Sequence, residues 1–354
     1  MGLSATIYKL LYRSWGRVPP ATDEGYTLLL LTPGDLPVFL KIAMDVCGRQ
    51  DAAHRVETLV LPDVDSPELR AAYAVYKKSW PDDRIRVEPL TKLELIPVKK
   101  YQNPHLNCWL QFITGIKRAR TRHAMWHDAD LFINDPQFHK RHYEQIADRK
   151  LACLGVNRAW DKRFAELGYN QLVATWELIF DVAWARKFKP WEHRGHDATL
   201  SGKPVTYDIA FCPMAQTPAD QTAIHDGAED SFVHFNYVIG SYRKFQRALK
   251  AGTPYEDQHF RMLLVRLLID AYDDSGWKYE VPDVAGLARG LDDAKAPVTY
   301  VTPQVRGQWA EFRRKFQGLL DSPIVDDAKR ARLAEGIAVF DRALLVHSPA
   351  VAGE

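Results

Sequence analysis

Two aspartates separated by one residue stand between two apolar stretches in the middle of the chain. Asp128 and Asp130 follow residues 122–127 and precede the apolar residues 131–133. In an extended chain, side chains i and i+2 point to the same side, so these carboxylates converge just past a strand end. Carboxylate oxygens suit hard divalent cations such as Mg²⁺ and Mn²⁺, and two ligands leave positions open for phosphate oxygens. The pattern predicts a metal–diphosphate site.

A second pair with the same spacing, Asp63 and Asp65, shows that the pattern alone is weak evidence. This pair lies in a proline-bracketed loop before a predicted helix, where acidic residues commonly cap. We interpret it as helix-capping or solvated, with contact to a nucleotide base or ribose as the alternative. Asp128 and Asp130 differ because carboxylates between apolar strands are costly without a compensating cation.

Apolar runs and helix-start signals predict alternating strands and helices around these residues. This alternation implies a parallel sheet with crossover helices, and ligands of such sheets bind beyond the carboxyl ends of the strands. Pro33, Asp63 and Asp128 fall at such ends, so we expect them to share one crevice. Strands are predicted at 26–32, 56–61, 84–90, 131–133 and 151–156, and helices at 36–49, 68–79, 103–120 and 136–149.

The amino-acid composition changes after residue 157, where tryptophans and basic residues become frequent. Periodicity there predicts amphipathic helices toward the C-terminus and short strands between them. The predicted helices are 175–188, 236–250, 257–272, 307–320 and 326–346, and the predicted strands are 205–212 and 231–235.

Composition excludes several classes of protein. Apolar residues make up 46% and charged residues 26% of the 354 residues, as in soluble globular proteins, and the net charge of +2 gives no argument for bulk nucleic-acid binding. The four cysteines form no CxxC pair, which argues against a structural zinc site and fits a reducing compartment.

Residues 1–16 contain no apolar core of the length expected for a signal peptide, and the longest aliphatic run, 28–31, is far too short for a stable membrane span. We therefore expect a cytoplasmic protein. An N-terminal helix with Ile7, Leu10, Leu11 and Trp15 on one face is interpreted as packing on its own domain. Peripheral membrane association through that face is the alternative.

A histidine near a strand end forms the second candidate feature. His234 is followed by Gly240 and then by the basic pair Arg243 and Lys244. A neutral imidazole can supply a third metal ligand, and the basic pair can neutralise charge on a leaving group. The alternative is a core histidine followed by a solvated basic helix turn.

In this order the two features resemble metal-dependent glycosyltransferases of the GT-A fold. Residues 127–130, His-Asp-Ala-Asp, resemble their metal-binding DxD motif. The His-Phe pair at His234, followed by Gly240 and Lys244, resembles the HFxGxxKPW ending of glycogenin-like retaining transferases. The glycine is displaced here, and Pro-Trp does not follow the lysine.

The resemblance implies an α/β protein with a GT-A-type nucleotide-binding sheet flanked by helices, and a helical C-terminal appendage. It implies a nucleoside-diphosphate sugar donor of the UDP type and Mn²⁺ or Mg²⁺ as the cofactor. The implied segments are an N-terminal helical segment (1–25), a nucleotide-sugar-binding half (26–157), an acceptor half that closes the metal site (158–280) and a helical extension (281–354). The acceptor could be a glycan, a lipid-linked sugar, a metabolite or a modified nucleobase.

The resemblance also implies roles for individual residues. Asp128, Asp130 and His234 would hold the metal. An inverting enzyme would in addition need a carboxylate near the acceptor hydroxyl as general base, and the sequence leaves open whether the enzyme retains or inverts. The candidates for that base are Asp230 and Asp208, with Glu229, Glu256 and Asp257 as further carboxylates. The implied donor-binding residues are Thr32, Pro33, Asp63, Lys117, Asp128, Arg243 and Lys244.

Three other kinds of protein fit part of the pattern. A nucleotidyltransferase also places paired carboxylates beside a nucleotide and a metal, but residues 31–35 lack the Gly-rich basic loop expected after its first strand. A metal nuclease would need only the carboxylates. A non-catalytic scaffold or carbohydrate-binding protein on the same fold would not need its candidate metal ligands.

Overall fold

The computed structural model describes residues 3–80, 84–101, 104–228, 231–300 and 305–347. The chain divides into two compact units, Met1–Phe232 and Val233–Glu354.

The first unit is a mixed α/β structure. Its strands are β1 (Asp23–Thr32), β2 (Arg55–Pro62), β3 (Ile85–Val87), β4 (Thr121–Asp128), β5 (Leu131–Ile133), β6 (Cys153–Gly155), β7 (Glu177–Asp181), β8 (His196–Leu200), β9 (Lys203–Tyr207) and β10 (Thr222–Ile224). Its helices are α1 (Leu3–Leu11), α2 (Val38–Gly48), α3 (Pro67–Tyr76), α4 (Lys92–Tyr101), α5 (Pro104–Arg118), α6 (Phe138–Arg149), α7 (Lys162–Glu166), α8 (Val182–Lys187) and α9 (Phe211–Ala215).

A seven-stranded sheet in the order β10-β6-β7-β4-β1-β2-β3 forms the centre of this unit. Strand β1 is parallel to both β2 and β4, with Thr32 opposite Pro62 and Leu31 opposite Asp128. The carboxyl ends of these three strands therefore meet at one edge of the sheet. The predicted α/β class, with a helix-flanked sheet, is confirmed.

Alternating side chains along β1 and β4 supply two separate cores. Leu29 and Trp126 pack in the core on the face covered by α5. Leu28, Leu30 and Met125 pack in the core on the opposite face, which α2, α3 and α6 cover. Both faces of the central strands are buried, which explains their near-continuous apolar sequence.

The prediction of one helix over 175–188 is wrong. Residues Glu177–Asp181 instead form β7, which is antiparallel to β4 and β6, and a short helix follows at Val182–Lys187. The reason is local, because Asp181 has an extended backbone and its side chain accepts a hydrogen bond from the backbone N–H of Trp184. This contact caps a new helix and ends the strand.

Two smaller predictions also need correction. The strand expected at 205–212 ends at Tyr207, where β9 closes a hairpin with β8, and the following residues form α9. Tyr8 of the N-terminal helix is buried, as are Tyr12 and Trp15 just after it, whereas Leu10 is 62% exposed. The ring centroid of Tyr8 lies 5.0 Å from that of Trp109 in α5, so this helix packs on its own unit.

The second unit is mainly helical. Its core is aromatic, with the ring centroid of Phe260 4.8 Å from that of Trp309 and 5.1 Å from that of Tyr300. The two predicted C-terminal helices are confirmed. The elements are β11 (Phe232–His234, which begins at the unit boundary), α10 (Val238–Lys250), β12 (Tyr255–Glu256), α11 (Arg261–Tyr272), α12 (Val284–Ala288), β13 (Val298–Thr299), α13 (Val305–Leu320) and α14 (Asp327–His347). Among the described residues, none of the helices combines the length and the apolar character needed to cross a membrane.

Candidate active site

Asp128 and Asp130 lie at the carboxyl end of β4, and their carboxylate oxygens are within 4.8 Å of each other. The backbone N–H of Asp128 donates to the carbonyl of Trp176 at 2.9 Å, which fixes the strand end beside β7. The indole Nε1–H of Trp126 donates to Oδ1 of Asp128 at 3.2 Å. Asp130 is only 5% exposed.

The charges of four carboxylates act on the Cys108 thiol at this edge, and two of them also act on Asp128. Burial raises the pKa of Asp128 well above its ordinary value, and the neighbouring charge of Asp130 raises it further. Burial likewise raises the pKa of the Cys108 thiol, with added contributions from the charges of Asp128, Asp208, Asp63 and Asp130. Like charges in a partly dehydrated site repel, so a divalent cation would stabilise this arrangement.

This donor set fits the metal that the sequence implies. Asp128 and Asp130 offer hard oxygen atoms, the ligands preferred by Mg²⁺ and Mn²⁺. Because these carboxylates are buried and repel each other, a bound cation would stabilise their ionised forms.

Asp63 ties together the loops that follow β1 and β2. The backbone N–H of Gly34 donates to its Oδ1 at 2.8 Å, and Nδ2 of Asn107 donates to its Oδ2 at 3.0 Å. The capping interpretation is wrong for Asp63, because the hydroxyl of Ser66 is the group that caps α3. Asp65 is solvated as expected, and it forms a surface ion pair with Arg70.

Helix α5 supports the ends of β1 and β2 through polar side chains that the sequence reasoning missed. Nε2 of Gln111 donates to the carbonyl of Thr32 at 2.9 Å and also to the carbonyl of Leu61. Asn107, four residues earlier, binds Asp63. A polar i, i+4 pair on the buried side of an apolar helix was the available signal.

Asp208 lies just after β9, in the same unit as the two motif carboxylates. Its Oδ1 accepts a hydrogen bond from the backbone N–H of Ile209 at 2.7 Å. Burial raises its pKa, while that backbone hydrogen bond and the nearby His105 and Trp160 act in the opposite direction. Its charge also contributes to the raised pKa of Asp128, so the fold brings Asp208 into the carboxylate group.

The structure does not bring Lys117 to the strand ends. Lys117 lies in the last turn of α5, ten residues beyond Asn107, a distance of about 15 Å along the helix axis. Asp230 falls outside the described residues.

Three further predicted site residues belong to the second unit. His234 is 8% exposed and ends β11. In α10, Arg243 donates to Gln246 at 3.4 Å, and the ammonium of Lys244 lies 5.1 Å from the ring centroid of Tyr237. The roles of these three residues stay predictions.

No known protein-family profile matches the chain, and no curated protein matches it. Similar solved structures include S. aureus TarS 1–349 with UDP-GlcNAc, at 11% identity and a TM-score of 0.40, covering 93% of this chain and 92% of TarS 1–349. Mannosyltransferase PcManGT from Pyrobaculum calidifontis, with GDP-Man and Mn²⁺, shows 13% identity, a TM-score of 0.37, and coverage of 98% and 91%. Glucosyl-3-phosphoglycerate synthase from Mycobacterium tuberculosis, with Mn²⁺ and UDP, shows 11% identity, a TM-score of 0.40, and coverage of 67% and 82%. At this level of similarity an activity has to be inferred from the site itself.

Proposed function

We propose that the protein is a metal-dependent glycosyltransferase that moves a sugar from a nucleoside-diphosphate sugar to an acceptor hydroxyl. The observation that carries this proposal is the pair of carboxylates Asp128 and Asp130 at the carboxyl end of β4, within 4.8 Å of each other. This is the edge where ligands of parallel sheets bind. A diphosphate would be repelled by bare carboxylates, so binding of the donor would require a divalent cation.

In this proposal Asp128 and Asp130 hold Mn²⁺ or Mg²⁺, and His234 supplies the third ligand. The bound cation supplies Lewis-acid stabilisation for the departing diphosphate. Trp126 orients Asp128 through its indole N–H, which also favours the ionised carboxylate. Arg243 and Lys244 offset the remaining phosphate charge.

The donor nucleoside is proposed to lie along the loops after β1 and β2. Thr32 ends β1, Pro33 follows it, and Asp63 holds the facing loop against Gly34. Loops fixed by side chains of α5 are preorganised, which lowers the ordering cost of binding a base and ribose. A UDP-type sugar is the donor we propose.

Asp208 is the proposed general base for the acceptor hydroxyl. Its raised pKa brings the carboxylate closer to the working range of a base near neutral pH. Asp208→Asn should leave metal-dependent nucleotide binding intact while lowering transfer by about 10²–10⁴-fold. Unchanged transfer would exclude this role and leave Asp230 as the proposed carboxylate.

A thermal-shift titration with Mn²⁺ and UDP, GDP, TDP or CDP tests the proposal. We expect stabilisation by one nucleotide, UDP foremost, and only when metal is present, because a ligand stabilises the state it binds. Asp130→Asn should abolish the shift. Asp65→Asn is the matched control, because it makes the same change in the other Asp-x-Asp pair at an exposed position.

Two of the rival functions give different results in this assay. Stabilisation by nucleoside triphosphates with release of pyrophosphate would support a nucleotidyltransferase. No shift with any metal–nucleotide pair would contradict the proposal and favour a scaffold.

We further propose a cytoplasmic location. All four cysteines are free thiols, which is typical of proteins in a reducing compartment. Recovery of the native protein in the cytosolic fraction after cell lysis would test this.

A further inference from the structure

A second group of potential metal ligands lies on the face of β4 opposite to Asp128. We call the Asp128 side the front of β4 and this side the back. Cys47 of α2, His127 of β4 and His139 of α6 each offer a ligand atom, and these three atoms lie within 4.8 Å of one another. All three residues are fully buried. Because His127 directly precedes Asp128 in a strand, its side chain points to the opposite face of the sheet.

Glu177 of β7 orients both imidazole rings. Its Oε2 lies 2.7 Å from Nδ1 of His127, and its Oε1 lies 2.9 Å from Nε2 of His139. The other nitrogen of His139, Nδ1, is buried and has no hydrogen-bond partner among the described residues. The thiol of Cys47 lies against the imidazole of His127.

We propose that Cys47, His127 and His139 form a binding site for a borderline-soft divalent cation such as Zn²⁺. Thiolate sulfur and imidazole nitrogen are the ligands that zinc prefers. A carboxylate that accepts from the non-ligating nitrogens of two histidines is a recurrent support of zinc sites. The orphaned Nδ1 of His139 would thereby gain a partner.

The charges and distances are consistent with this assignment. Binding converts the Cys47 thiol to a thiolate and requires Nε2 of His127 without a proton, so the protons displaced from these groups are released to solvent. The thiolate and the Glu177 carboxylate then balance the two positive charges of the ion inside a fully buried site. Tetrahedral zinc places its ligand atoms about 3.5 Å apart. The three ligand atoms here lie within 4.8 Å of one another, so small side-chain movements would bring them to that spacing.

This site differs from the carboxylate pair in chemistry and in purpose. At the front of β4 the two aspartates supply carboxylate oxygens, whereas Cys47, His127 and His139 at the back supply sulfur and nitrogen. An ion bound to this site would link α2, β4 and α6 next to Asp128. This link would form whether or not a nucleotide binds at the carboxylate pair. The absence of a CxxC pair does not argue against it, because its ligands come from three separate elements.

The test uses the full chain with Asp130→Asn, which removes the front site. The chelator-stripped protein is reconstituted with Zn²⁺ or Co²⁺, and bound metal and the absorption spectrum are measured. We expect about one tightly held metal per chain and a thiolate-to-cobalt charge-transfer band in the near ultraviolet. Cys47→Ala should abolish this band and weaken zinc binding by at least about tenfold.

Cys153→Ala is the matched control, because Cys153 is a fully buried thiol in β6 outside the cluster. It should keep both the band and the metal. The proposal is overturned if the folded Asp130→Asn protein binds no stoichiometric zinc and shows no charge-transfer band. This measurement does not depend on the folding of any Cys47 variant. A band that persists in Cys47→Ala would overturn it as well.

Discussion

Two buried histidines should make this protein sensitive to mild acid. Nδ1 of His142 lies 2.9 Å from Nδ1 of His225, and Phe138 stacks against both rings. Burial lowers the pKa of His142 to about 3, assisted by the charge of His225. Burial also lowers the pKa of His225 to about 4, assisted by Arg141. Both rings are therefore neutral in the folded protein near pH 7.

The sign and size of the effect follow from proton linkage. In the unfolded chain each histidine titrates near pH 6.5, above its folded pKa, so the unfolded state binds more protons in acid. The stability due to neutral burial is complete above pH 6.5 and is lost as the pH falls toward the folded pKa. Between pH 7 and pH 5, His142 alone should cost about 2 kcal/mol of unfolding free energy, and His225 a smaller amount.

Urea unfolding at pH 7, 6 and 5 measures this loss. His142→Gln should lower stability at pH 7 but show a shallower decline toward pH 5, because one titrating group is gone. His196→Gln is the control, since His196 is an exposed histidine in β8. If the parent and His142→Gln decline in parallel, the buried pair is not the origin of the acid sensitivity.

Three further substitutions probe the supports of the candidate site. Trp126→Phe removes the indole donor to Asp128 and should weaken Mn²⁺ binding by about 3–10-fold, as measured by calorimetry. Gly34→Ala places a methyl group 1.6 Å from the carbonyl oxygen of Val64, so it should cost about 1–3 kcal/mol in urea unfolding and weaken nucleotide binding. Glu177→Gln leaves two buried histidines without their shared carboxylate and should cost about 3 kcal/mol, whereas an unchanged midpoint would contradict the role of this contact.

The central strands could be predicted because their signals are local. Residues 26–32 of β1 are mostly apolar and are followed by proline and glycine, and β4 ends at the carboxylate of Asp128. The alternation of strands and helices predicted a parallel sheet, and β1 is indeed parallel to β4. This reasoning correctly placed Pro33, Asp63 and Asp128 at the carboxyl ends of strands that meet at one edge of the sheet.

The reversal of direction at β7 could not be predicted in the same way. Residues 175–188 contain apolar spacing that suits a helix, and a short apolar run is ambiguous between helix and strand. What decides the structure is tertiary, because β7 fills the gap between β4 and β6 and places Glu177 opposite His127. The periodicity of apolar residues in a sequence does not show that a strand is needed between β4 and β6.

The contacts around the carboxyl ends of β1 and β2 could not be predicted from the sequence for a different reason. Asn107 and Gln111 look like minor polar positions on an amphipathic helix, yet both are buried and bind the loops after β1 and β2. Their importance depends on which strand ends α5 approaches. Sequence spacing gives the helix face but does not identify the partner that the face meets.

Strand β4 unites the two inferences because its last two residues, His127 and Asp128, point to opposite faces. Trp126 and Asp128 serve the front, where oxygen ligands gather, and His127 serves the back, where Glu177 and Cys47 meet it. A rigid back would hold the strand end in place while a cation and a nucleotide exchange at the front. The prediction that separates the two faces is reciprocal: loss of Cys47 should lower thermal stability with or without nucleotide, whereas Asp130→Asn should abolish only the metal-dependent nucleotide shift.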